Sequence, residues 1–128
     1  MAQALSWIEI DTRALSHNLR LFRAGLGPKT ALMAVVKGEA YGHGMQSAAR
    51  IAVDSGADWL GVFHLAEALA LRESGITQPI LVLGYVPLGD LADAIRAKLR
   101  ITVSSLETLE QASAAAAGLK MPAHLHLK

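Results

Sequence analysis

Lys37 lies where a buried strand is expected to end, and this position suits covalent amine chemistry. Residues 33–36 are Met-Ala-Val-Val, and the loop after Lys37 contains Gly42 and Gly44. A lysine ammonium is usually solvated at the surface, so an apolar run before it predicts a lysine at the mouth of a core. Desolvation favours the neutral amine, which condenses with an aldehyde to form a Schiff base. The run 34–44 therefore points to pyridoxal phosphate (PLP).

Apolar β-rich runs alternate with helix-period segments along the whole chain, which predicts successive βα units and a parallel sheet. Asp11 is expected to cap the first helix, which Gly25 ends, and Asp90 is expected to cap a later one. Ser104 and Glu107 have the spacing of a capping box for an alanine-rich helix that ends at Gly118. The predicted strands cover residues 30–36, 59–63, 80–83, 100–103 and 124–127.

The run 34–44 resembles the signature of the alanine racemases, in which Val-Lys ends a strand and Ala-Tyr-Gly-His-Gly follows closely. Residues 7–19 look like that family's first strand and helix. Residues 124–128 look like the family strand that continues into an Asp-Thr-Gly-Met segment and an arginine beside the cofactor ring. The resemblance implies an α/β fold, a partial (β/α)8 TIM-type barrel with five barrel strands plus an N-terminal strand at 7–10.

Length agrees with a partial barrel, because 128 residues are too few for a complete one of about 250 residues. We expect residues 1–128 to form the N-terminal part of a PLP-binding barrel domain. The rest of the barrel and a C-terminal β domain are then expected outside these residues. Five strands would leave two open sheet edges, which need a second polypeptide or a continuation of the chain to cover them.

The resemblance implies a role for each matching residue. Lys37 would hold PLP and exchange the substrate α-proton on one face, because the cofactor ring withdraws electrons from the α-carbon. Tyr41 matches a tyrosine that hydrogen-bonds the cofactor phosphate, although packing is its alternative. Val35 and Leu83 match residues that line the cofactor site, or they are simply core. Lys128 matches a lysine that is carbamylated in many members of the family, and an ordinary lysine is the alternative.

The family supplies its second base as a tyrosine from the C-terminal domain of a partner subunit, which implies a homodimer of full-length subunits. The first 128 residues alone are therefore expected to be inactive. One departure from the family pattern is Gly38-Glu39, where the family has Ala and then Asn or Asp. This change leaves the lysine in place but affects the rigidity of the loop and the choice of substrate.

Other functions remain open on these residues. Serine, lysine and broad-specificity racemases share this N-terminal pattern, so the amino-acid substrate is not decided by it. A one-domain PLP carrier would use the same barrel and lysine without turnover. A catalytically inert domain that acts only by assembling with a complementary fragment would not depend on Lys37.

Composition narrows the class of protein. Twelve Lys and Arg against eleven Asp and Glu give a net charge of +1 without long blocks of one sign, so neither nucleic acid nor membrane is an expected partner. The absence of cysteine removes thiolate chemistry. His124 and His126 share a strand face but have no carboxylate at ligand spacing, so no metal site is expected. A cytoplasmic enzyme acting on a small amino acid is the default expectation.

Overall fold

The structure is a computed structural model that describes residues 5–128. Five strands form one sheet, and each strand pairs in parallel with the next one along the chain. This order is typical of a (β/α)8 barrel, in which every strand is followed by a crossover helix. The predicted partial α/β barrel is therefore confirmed, as an open sheet. The strands are β1 (Met33–Val35), β2 (Trp59–Val62), β3 (Ile80–Val82), β4 (Arg100–Val103) and β5 (His124–Leu127).

Helices connect the strands. Asp11 caps α1 as predicted, because its carboxylate accepts hydrogen bonds from the amides of Arg13 and Ala14 at 2.9 and 3.0 Å. A short turn over Leu88–Asp90 precedes the fifth helical segment. The segments are α1 (Thr12–Gly25), α2 (Lys37–Gly42), α3 (Met45–Asp54), α4 (Leu65–Glu73), α5 (Leu91–Arg96) and α6 (Leu106–Leu119). Among residues 5–128, no helix has the length and apolar character needed to cross a bilayer.

The hydrophobic core lies between one face of the sheet and the helices. Alternate strand residues point to this face, and small or branched side chains such as Ala49, Ala68, Leu71 and Ala94 cover it from the helices. The opposite face of the sheet carries Lys37 at its carboxyl edge. The strand residues buried on the helix side are Leu60, Val62, Ile80, Val82, Ile101 and Val103.

Residues 7–10 do not form the predicted N-terminal strand. No strand in the described part of the chain pairs with them. Trp7 and Ile8 are 72% and 77% exposed, so their apolar pattern is not used for packing here. A β-rich sequence becomes a strand only when a neighbour supplies hydrogen-bond partners. The prediction was therefore wrong for this structure.

Several predicted element ends also differ. The strand predicted over 30–36 is shorter, because Leu32 instead hydrogen-bonds the Asp58 carboxylate through its amide at 2.8 Å. The cap of α6 is Ser105, whose hydroxyl accepts from the Thr108 amide, and not Ser104. Asp90 precedes α5 without capping it through its side chain. The helix α6 continues through Gly118 and ends when Lys120 adopts the left-handed conformation at φ 54°.

Candidate active site

Lys37 lies at the carboxyl end of β1, as its sequence position predicts. The Val36 amide donates to the Gly61 carbonyl at 2.8 Å, which extends the pairing of β1 with β2 by one residue before Lys37. The side chain is half-buried, and its Nζ lies 5.5 Å from the centroid of the Phe63 ring. The ring face is electron-rich and attracts a nearby ammonium. Phe63 therefore helps to hold the amine at the carboxyl ends of β1 and β2.

The segment after Lys37 is a left-handed turn. Four consecutive residues, Gly38, Glu39, Ala40 and Tyr41, have φ between 51° and 58°. Left-handed backbone costs a residue with a Cβ about 1–2 kcal/mol, and only Gly38 escapes this cost. Unusual backbone of this kind persists where surrounding contacts hold it, and it is concentrated at functional sites.

Glu39 holds the turn through its backbone carbonyl and through its side-chain carboxylate. Its carbonyl accepts from the Gly44 amide at 2.9 Å, and its carboxylate accepts from the Met45 amide at 3.1 Å. Met45 is the first residue of α3, where unpaired amides favour a negative charge. The residue that departs from the family pattern therefore ties the turn to the next helix.

Glu67 on α4 binds the same turn from the other side. One carboxylate oxygen accepts from the Gly38 amide at 2.7 Å, and the second accepts from the amides of Phe63 and His64 at 2.8 and 2.9 Å. Sequence reasoning missed this residue. Glu67 lies three residues after His64, which is the spacing of a capping box. This spacing could have predicted the cap of α4 but not the contact with Gly38.

The charge of Glu67 reflects these contacts. Partial burial by itself raises the pKa of the Glu67 carboxyl, because it disfavours the ionised form. The amides of His64, Gly38 and Phe63 together with the charge of the His64 ring outweigh that effect and hold the pKa below its ordinary value. Glu67 is therefore an anion at neutral pH.

Val35 and Leu83 lie on the face of the sheet opposite the helices, on either side of Gly61. A Cβ atom on Gly61 would lie 3.3 Å from Val35 Cγ2 and 3.5 Å from Leu83 Cδ1. The missing side chain lets these two residues approach each other across β2. The structure thus brings together two of the predicted site residues, and it adds Gly61, which sequence reasoning did not select. The pair forms an apolar floor next to the strand end that carries Lys37.

Tyr41 and Lys128 are not brought into contact with Lys37. Tyr41 ends the left-handed run and is 68% exposed, so its phenol faces solvent beside the site. Lys128 follows β5, where its amide donates to the Val103 carbonyl at 3.0 Å. It shares the carboxyl edge of the sheet with Lys37 but lies at the opposite end of the strand order.

His124 and His126 lie on β5, paired with Arg100 and Thr102 of β4. A cation and a hydroxyl do not complete a metal site with two imidazoles. Within residues 5–128, no group of three or more metal-ligating side chains lies close enough together to hold an ion.

The residues at this edge fit an aldehyde cofactor with an aromatic ring. They offer one amine and two aliphatic walls, and the exposed phenol of Tyr41 follows four residues along the chain. The carboxyl ends of parallel strands are also where barrel enzymes place their active sites. An aldehyde cofactor at this strand end would therefore meet an amine and an apolar floor.

Comparison with known proteins decides the family. The model of the alanine racemase N-terminal domain family matches residues 10–128. The chain belongs to this family. Alanine racemase 1 of Oceanobacillus iheyensis is 45% identical to this racemase domain over 123 residues. The alanine racemase of Geobacillus stearothermophilus is 46% identical over 123 residues. Each alignment covers 96% of this chain but only 33% and 31% of the relative, so the chain spans about a third of their length.

Solved structures agree with this assignment. The alanine racemase of Streptomyces coelicolor A3(2) superposes on the racemase domain with a TM-score of 0.85 and 42% identity. That match covers 92% of this chain and 32% of the Streptomyces chain. An alanine racemase from Clostridium difficile 630 matches with a TM-score of 0.81 and 36% identity, over 90% of this chain and 29% of the other. The open five-stranded sheet therefore corresponds to the N-terminal part of the barrel in these racemases.

Proposed function

We propose that this chain carries the PLP-binding lysine, Lys37, of an alanine racemase that interconverts L- and D-alanine. The observation that supports this most strongly is the position of Lys37 at the carboxyl end of β1, in a chain that matches the family over residues 10–128. The half-buried amine over the Phe63 ring and the apolar floor of Val35 and Leu83 suit an aromatic aldehyde.

Each residue has a separate task in this proposal. Lys37 attaches the cofactor and then gives or takes a proton at the substrate α-carbon on one face. Val35 and Leu83 contact the cofactor ring, and the Tyr41 hydroxyl donates a hydrogen bond to its phosphate. PLP, when bound, withdraws electrons from the α-carbon of the amino acid and so makes its hydrogen removable.

The other parts of the enzyme are proposed to lie outside these residues. Residues 1–128 then form the N-terminal part of the barrel domain, and they are inactive without the rest of the barrel and the C-terminal β domain. The second base comes from the partner subunit of a homodimer. A carbamylated Lys128 would present an anion at the carboxyl edge for a neighbouring cation. The threefold greater length of the curated relatives supports this division. We place the enzyme in the cytoplasm, where it would supply D-alanine for the cell wall.

Borohydride reduction of the PLP-treated protein tests the proposal. Purified protein, with any polypeptide that accompanies it, is incubated with PLP, reduced and analysed by intact mass and peptide mapping. We expect one reduced adduct on Lys37, which Lys37→Ala abolishes and the exposed control Lys29→Ala retains. Alanine racemisation is measured on the same samples.

Two results would overturn this function. No adduct on Lys37 in excess PLP would rule out the cofactor assignment. An adduct on Lys37 without conversion of L-alanine, in a sample that contains the remaining barrel and the β domain, would replace the racemase with a PLP carrier.

A further inference from the structure

The Glu67 carboxylate joins the ends of two neighbouring strands. Its first oxygen accepts from Gly38, the residue after Lys37, at 2.7 Å. Its second oxygen accepts from Phe63, the residue after β2, at 2.8 Å, and from His64 at 2.9 Å. Both oxygens are therefore used, and the contact with Gly38 joins residues that are 29 positions apart in the sequence.

Both segments determine where the Lys37 amine lies. The Gly38 amide is part of the peptide bond between Lys37 and Gly38. The direction of this amide therefore fixes the peptide plane at which the left-handed turn begins. Phe63 carries the ring that lies 5.5 Å from Nζ. The Glu67 carboxylate thus holds the backbone that follows Lys37 and the backbone of Phe63, whose ring lies beside the amine.

We propose that Glu67 is a positioning residue for Lys37, which holds the lysine backbone and the Phe63 ring in the arrangement that presents the amine to PLP. This inference rests on the proposed function of Lys37. Glu67 does not touch the cofactor in this role, because its two oxygens are occupied by backbone amides.

Helix capping alone does not account for the contacts of Glu67. A capping box requires only that the third helical residue accept from the amide of the N-cap residue, here His64. The contact with Gly38 uses the other oxygen and reaches a different strand. A glutamine has one acceptor oxygen, and its NH₂ group would face a backbone N–H. Glu67→Gln can therefore keep only one of the two, and we expect its oxygen to stay with the two amides of Phe63 and His64 and to release the single amide of Gly38.

Two variants of Glu67 separate positioning from capping. Glu67→Gln removes one acceptor with almost no change of shape. Glu67→Asp keeps the charge and both oxygens but is one methylene shorter, so we expect it to retain the cap on Phe63 and His64 and to lose Gly38. The matched control is Glu73→Gln, an exposed residue at the other end of α4.

Three measurements are made on the full chain. The first is amide hydrogen exchange at Gly38, with the amides of β3 (Ile80–Val82) as the measure of global stability. The second is competitive acetylation of Lys37 relative to Lys29, which needs no cofactor. The third is the rate at which the PLP adduct forms on Lys37.

In both Glu67 variants we expect Gly38 exchange to rise about tenfold or more, as when one hydrogen bond to a charged group is lost. We expect the same two variants to change the acetylation ratio of Lys37 to Lys29 and the rate of adduct formation. The exchange of the β3 amides should stay as in the wild type. Global destabilisation would alter β3 exchange and both lysines alike, so the ratio isolates positioning.

The outcomes separate this inference from the proposed function. If the Glu67 variants match Glu73→Gln in Gly38 exchange and in the acetylation ratio, positioning by Glu67 is overturned, whatever the wild type does with PLP. If Lys37 of the wild type forms no adduct, the proposed function fails, and the exchange and acetylation data still decide whether Glu67 positions the lysine.

Discussion

Gly84 and Phe63 touch through their backbones at the carboxyl ends of β3 and β2. The Gly84 amide donates to the Phe63 carbonyl at 3.1 Å, and a Cβ atom on Gly84 would lie only 2.5 Å from that carbonyl oxygen. It would also lie 3.1 Å from the Phe63 ring. Phe63 in turn carries the ring beside the Lys37 amine. The absence of a side chain at Gly84 is therefore what allows Phe63 to occupy its place in the site.

Gly84→Ala is expected to separate these two strand ends. The clash is with a backbone oxygen, which cannot rotate away, so the cost should be about 1–3 kcal/mol of unfolding free energy, as for other overpacked sites. Because Phe63 must move, the reactivity of Lys37 should change as well. Chemical denaturation measures the first effect, and acetylation of Lys37 relative to Lys29 measures the second.

Gly118→Ala is the matched control. Gly118 lies inside α6, and a Cβ there meets no atom within 4 Å. Replacing a helical glycine with alanine is expected to stabilise the fold by about 0.5–1 kcal/mol. Opposite signs for the two substitutions would support the close approach at Gly84. A neutral Gly84→Ala would contradict it.

Arg72 holds the opposite edge of the sheet, where the strands begin. Its guanidinium donates to the carbonyls of Ile76 and Gln78 at 2.8 Å each, to Ala97 at 3.0 Å and to Lys98 at 3.4 Å. These carbonyls belong to the loops before β3 and β4. Burial lowers the pKa of the Arg72 guanidinium without neutralising it. The Arg72 side chain therefore donates hydrogen bonds to the carbonyls of two loops that lack secondary structure of their own.

Arg72→Met keeps the length of the side chain but leaves these carbonyls without their donor. We expect a loss of about 2–4 kcal/mol of unfolding free energy, because several acceptors lose a charged partner together. Arg96→Met is the control, since the ion pair of Arg96 with Asp93 is 58% and 62% exposed. Exposed pairs contribute about 0–1 kcal/mol. Urea unfolding curves of the two variants test the difference, and similar losses would argue against the role of Arg72.

The parts of the fold that depend on local pattern were predictable from the sequence. The strands 100–103 and 124–127 appear with the predicted bounds, and Asp11 caps the first helix. The position of Lys37 at a strand end also followed from four apolar residues before it. These features depend on periodicity and on residues close in sequence, which a single chain displays directly.

The parts that depend on distant contacts were not predictable. No local preference favours positive φ at Ala40 and Tyr41, and the left-handed turn is held by Glu39 and by Glu67 from another unit. The apolar run 7–10 has the composition of a strand but finds no neighbour to pair with in the described residues. Sequence shows which residues suit an element, whereas pairing and long-range hydrogen bonds decide whether it forms.

The lowered pKa of Glu67 predicts a specific dependence of stability on acid. A carboxyl whose folded pKa lies below its unfolded value binds fewer protons in the folded state, so its contribution to stability is complete above the unfolded pKa. That contribution is lost as the pH falls through the folded pKa, which lies below 4.5 for Glu67. The difference in unfolding free energy between wild type and Glu67→Gln should therefore be largest above pH 4.5 and shrink on acidification.

Urea unfolding at a series of pH values from neutral to strongly acidic measures this difference. The exposed control Glu73→Gln should run parallel to the wild type over the whole series, because its side chain takes no part in the hydrogen bonds that hold the turn. A gap between wild type and Glu67→Gln that stays constant with pH would mean that the Glu67 charge adds nothing to its hydrogen bonds. The contact with Gly38 would then depend on the second acceptor oxygen of Glu67 and not on its charge.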